Sequence, residues 1–73
     1  MNIPTDLPKQ NLINWLRASM DADQEDMGKH AVDAFPARGK YVNDLVQASE
    51  RRMFYTCRRR YETAKAALEE LNG

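Results

Sequence analysis

The 73-residue chain has one cysteine and one histidine, and both scarcities exclude something. Cys57 cannot form an internal disulfide. With only His30 beside it, the four Cys/His ligands of a structural zinc site are not available, so no metal or other cofactor is expected. Apolar runs never exceed three residues, so no segment is expected to span a membrane and none in MNIPTDLPKQ can serve as a signal core. A lone cysteine without a secretion signal predicts a reducing, cytoplasmic setting. Glycines stand isolated at 28, 39 and 73, which excludes a glycine-rich phosphate loop. At this length the chain is a single domain, residues 1–73, whose core is too small to be stable without tight helix packing or a partner chain.

An excess of charge of either sign is also missing. Eleven basic and eleven acidic side chains balance to a formal net charge of zero, which argues against a dedicated nucleic-acid binder. The distribution is uneven, however. Residues 1–36 hold three basic and six acidic side chains, and residues 37–73 hold eight and five. Acids concentrate in DADQED (21–26) and bases in RRMFYTCRRRY (51–61), which has five arginines, three aromatics and no acid.

No segment alternates apolar and polar residues as a half-buried strand does. The pattern predicts an all-α fold of two short helices packed on one long one. The first helix is expected over about 8–20, capped by Thr5 or Asp6, with Leu12, Ile13, Trp15, Leu16 and Met20 on one face and Trp15 in the core. The second is expected over about 24–35, with Asp21 or Asp23 as N-cap and the acids of DADQED opposing the helix dipole. Its apolar seam of Met27, Ala31, Ala34 and Phe35 is narrow, and Gly28 weakens it. Phe35-Pro36 ends it, because the residue before proline disfavours helical backbone. Residues 36–39 form a turn. From about 40 to 71 there is neither glycine nor proline, which predicts one long helix stopping at Asn72-Gly73. Its expected seam is Val42, Leu45, Val46, Ser49, Met53, Cys57, Ala64, Ala67, Leu68 and Leu71, with a run of fours near Met53 resembling a stutter. The thin second helix and the aromatics off the main seam predict a helical-bundle homodimer through Val46, Met53, Cys57, Arg60 and Leu68.

On a helical wheel the bases of the long helix spread out instead of filling one side. Arg51, Arg58 and Lys65 form one stripe. Phe54 and Tyr61 lie between it and the seam, and Arg52, Tyr55 and Arg59 lie on the other flank. Three uses compete: phosphate-plus-stacking contacts across 51–65, pairing of the arginines with DADQED, or a protein interface. Arginine and tyrosine are enriched at binding hot spots, which favours the interface. Arg60 interrupts the seam, so it must find a carboxylate, extend to solvent or face a second chain. In a dimer it would pair with Glu50, Glu62 or Glu69 of the other copy.

No catalytic constellation is present. His30 reads as a surface or half-buried side chain, and Cys57 as a small apolar packer. DADQED begins like a calcium loop but has Asp26 where the glycine belongs and Val32 where the bidentate glutamate belongs, which excludes it. The chain is therefore expected to be a non-enzymatic protein that binds another protein as a stoichiometric inhibitor, adaptor or regulator. Arg51, Arg52, Phe54, Tyr55, Arg58, Arg59, Tyr61 and Lys65 are the expected contact residues. Nucleic-acid binding by 51–65 is the alternative, and assembly into a larger particle is a third reading.

Overall fold

A computed structural model describes residues 3–72. Two α-helices, α1 (Lys9–Ala34) and α2 (Asp44–Asn72), pack against each other as a hairpin about 48 Å long and less than 20 Å across. No strand is present among the described residues.

The break expected between residues 20 and 24 does not exist. Nothing between Lys9 and Met27 is glycine or proline, so no residue forbids helical backbone there. Aspartate is a good N-cap, but inside a helix it costs only about 0.7 kcal/mol or less relative to alanine. Packing of the apolar residues on either side outweighs that cost, and Asp21 and Asp23 lie mid-helix. At the start, neither Thr5 nor Asp6 caps α1. Pro8 holds the N-cap position, and its carbonyl accepts from Leu12 N at 2.9 Å. The far end follows the sequence: Phe35 N still donates to Ala31 O at 2.9 Å, and Pro36 ends the run.

The connection is longer than the expected four-residue turn, because α2 begins at Asp44 and not near 40. Asn43 sets that boundary. Its side-chain Oδ1 accepts from Leu45 N at 2.9 Å and its carbonyl from Gln47 N at 2.8 Å, the pattern of an asparagine N-cap. A turn closed by Lys40 N donating to Ala37 O at 3.0 Å contains Gly39, whose φ of 87° a residue with a side chain rarely adopts. At the C-terminus α2 reaches Asn72, and Gly73 of the expected stop lies outside the described residues.

The interface is a heptad seam. In α1 the inward positions are Ile13, Leu16, Met20, Asp23, Met27, His30 and Ala34, spaced alternately by three and four. In α2 they are Glu50, Phe54, Cys57, Tyr61, Ala64, Leu68 and Leu71, spaced by four and three. All are buried or half-buried. Contacts give the antiparallel register: His30 meets Glu50, and one heptad further on Asp23 meets Cys57. One more heptad places Leu16 opposite Ala64, and both are fully buried.

The expected α2 seam is thus corrected. It coincides with the observed one at Cys57, Ala64, Leu68 and Leu71, but Ser49, Met53 and Arg60 give way to Glu50, Phe54 and Tyr61. No stutter is needed, because the true pattern is a plain heptad that includes one acid and two aromatics. The core remains slight. Among the described residues Leu16 is the only large side chain fully buried, while Val32, Tyr41, Leu45, Val46 and Met53 are left between 46% and 85% exposed.

Candidate functional site

Where α1 ends against α2, three aromatic rings meet. Phe35 and Phe54 have centroids 5.2 Å apart, Phe54 and Tyr55 5.4 Å, and Phe35 and Tyr55 6.2 Å, all near-perpendicular. Edge-to-face pairs of this kind add about 0.5–1.5 kcal/mol each beyond burial. Phe54 is half-buried in the seam, whereas Phe35 and Tyr55 stay 45% and 49% exposed. The cluster therefore presents two rings to solvent on a support that holds them in place.

Arg51 completes the support. Its Nε donates to Ala34 O at 2.9 Å, joined by Gln47 Nε2 at 3.4 Å, and its guanidinium lies 5.5 Å from the centre of the Phe35 ring. The last turn of α1 leaves carbonyls without helical partners, at the negative end of the dipole, so a cation from α2 satisfies both the hydrogen bond and the charge. Arg51 is thus occupied inside the chain.

The other expected contact residues divide. Tyr61 occupies the seam, half-buried. Arg52, Arg58, Arg59 and Lys65 are exposed, and among the described residues none has an acid within 4.0 Å. The ion pairs among the described residues are Lys29–Glu25 and Lys40–Asp33, and His30 is hydrogen-bonded to Glu50, so no arginine there pairs with DADQED. Of the residues expected at a dimer seam, Cys57 and Leu68 are already covered by α1, and Val46, Met53 and Arg60 are exposed. Trp15, expected in the core, is half-buried.

Sequence reasoning missed a polar stripe through the hairpin. His30 Nδ1 donates to Glu50 Oε2 at 2.5 Å across the seam. Asp23 is only 7% exposed, and its carboxylate, that of Asp26 and the sulfur of Cys57 all lie within 4.8 Å of one another. Burial pushes the Cys57 thiol above its ordinary 9.0, Asp26 and Asp23 push the same way, and Arg60 opposes them. A thiol so placed is a poor nucleophile. The signal for this stripe was the three-four spacing from Ile13 to Ala34, which runs through the expected break.

Comparison with protein-family models, curated proteins and solved structures finds no match to the chain. Among the described residues, no helix is long and apolar enough to cross a membrane.

Proposed function

We propose that the hairpin is a non-enzymatic binding module that acts in the cytoplasm as a stoichiometric inhibitor, adaptor or regulator of a partner protein. The observation that carries the reading is the Phe35–Phe54–Tyr55 cluster. Exposed aromatics normally lose side-chain freedom when a partner binds, and here neighbouring rings and Arg51 already restrain them. Arg58, one turn beyond Tyr55 and without an ion-pair partner among the described residues, fits an acidic rim around an apolar recess. The buried thiol, pushed up in pKa, supports a role without nucleophilic chemistry.

Self-association belongs to the same reading. Val46 and Met53, each 46% exposed, are the apolar side chains through which a second copy would pack, now that Cys57 and Leu68 face α1. Sedimentation equilibrium tests it. A mass held at 8.4 kDa over the accessible concentration range would remove the homodimer.

The binding reading is tested by affinity capture with tagged wild-type chain and with Tyr55→Asp, each with and without nuclease and at two salt concentrations. Supporting the reading requires one protein captured stoichiometrically by wild type in every condition and lost with Tyr55→Asp. Capture lost with nuclease, or falling steeply with salt and insensitive to Tyr55→Asp, would transfer the function to nucleic acid held by Arg52, Arg58, Arg59 and Lys65.

A further inference from the structure

A carboxylate at a core position of a helical seam needs a reason. Asp23 stands where the heptad calls for an apolar side chain, and only 7% of it is exposed. Among the described residues it forms no side-chain hydrogen bond or ion pair, and its carboxylate oxygens are left to the little solvent that reaches them. What it does face is a second carboxylate and a thiol: its oxygen, that of Asp26 and Cys57 Sγ all lie within 4.8 Å of one another. Carboxylates held side by side in a seam repel one another. All three groups are ligands for the same kind of ion.

We propose that Asp23, Asp26 and Cys57 bind a divalent transition-metal ion of the zinc class. The donor set selects the class. A thiolate is a soft ligand that calcium and magnesium do not favour, whereas zinc accepts sulfur, nitrogen and carboxylate oxygen together. Donor atoms around a tetrahedral zinc ion stand about 3.5 Å apart, so side-chain rotations of about 1 Å close the set without moving a helix. Charge agrees as well. Two carboxylates and a thiolate carry three negative charges, and the ion with Arg60, which lines the adjoining cavity, carries three positive ones.

That cavity, about 300 Å³ in volume, reaches Asp26, Cys57, Met53 and His30. Its side of the ion is the fourth coordination position, open to water. Counting cysteines and histidines excludes such a site, since two of its three ligands are aspartates that only the hairpin brings to the cysteine. As Asp23 and Asp26 belong to α1 and Cys57 to α2, the ion would tie the helices together midway along the seam and stiffen a fold with very little core.

The full-length chain, kept reduced with a non-thiol reductant, is titrated with Co²⁺ and then with Zn²⁺. Wild type is expected to bind one equivalent of cobalt, to show the near-ultraviolet thiolate-to-cobalt charge-transfer band, to lose it to zinc, and to melt at higher temperature with zinc than with chelator. Cys57→Ser should abolish the band, and Asp23→Asn should weaken cobalt binding by about tenfold or more, with helical circular dichroism retained. Should Asp23→Asn fail to fold, Asp26→Asn, at a half-buried position, is expected to show the same weakening. Absence of the band at one equivalent of cobalt would overturn the proposal. So would affinity unchanged in a folded aspartate variant, which would mean adventitious binding by the thiol alone.

Discussion

In metal-free solution the most informative perturbation is Asp23→Leu. Asp23 faces Cys57 at a heptad core position, 7% exposed and with no side-chain hydrogen bond or ion pair among the described residues. Two effects act in the same direction. A leucine there adds apolar burial worth about 1.5–3 kcal/mol relative to leaving it in water. Removing the carboxylate also ends its repulsion with Asp26, and even buried ion pairs, whose charges compensate each other, can be replaced by packed apolar side chains with no loss or with a gain of about 1–4 kcal/mol. Taking about 1–3 kcal/mol as the net gain, and about 4–8 °C per kcal/mol for a domain of this size, the melting temperature should rise by at least about 4 °C. Thermal and urea unfolding followed by circular dichroism in the presence of a chelator measures it. A variant equal to or less stable than wild type would show that Asp23 is already well compensated, and would refute the view of it as a cost. Adding zinc gives a second comparison: it should stabilise wild type and leave Asp23→Leu unmoved.

Three further outcomes follow from named contacts. Gly28→Ala should stabilise by about 0.5–1 kcal/mol in urea unfolding, because Gly28 is mid-helix and a methyl group there meets no atom within 4 Å. Arg51→Ala should destabilise by about 1–2 kcal/mol through loss of the Ala34 hydrogen bond and the contact with the Phe35 ring, and Arg51→Lys should recover only part, since an ammonium cannot reproduce the guanidinium geometry. Metal-free Cys57 should be alkylated far more slowly in the folded chain than in urea at a pH just below 9.0, because it is buried and its thiol is pushed up. The sign carries over to stability. The folded chain holds the Cys57 proton to higher pH than the unfolded chain, so this contribution is complete below 9.0 and is lost as pH rises above it, which alkaline unfolding would detect.

Much of the architecture can be read from single residues. Phe35-Pro36 must end a helix, and a glycine- and proline-free stretch of good helix formers must continue one, because these are properties of local backbone sterics. The three-four spacing from Ile13 to Ala34 was present all along, but taking Asp21 or Asp23 as a cap hid it: aspartate suits an N-cap and is tolerated mid-helix. Tertiary structure decided what local chemistry leaves degenerate. Two seams one residue apart were available on α2, one through Met53 and Arg60 and one through Phe54 and Tyr61, and the rotation was settled only by the ridge that α1 presents. That rotation freed Arg60 to solvent, drew Arg51 onto the end of α1, and brought two aspartates from one helix to a cysteine on the other. A helix fixes which side chains share a face, while its partner fixes which face is inside.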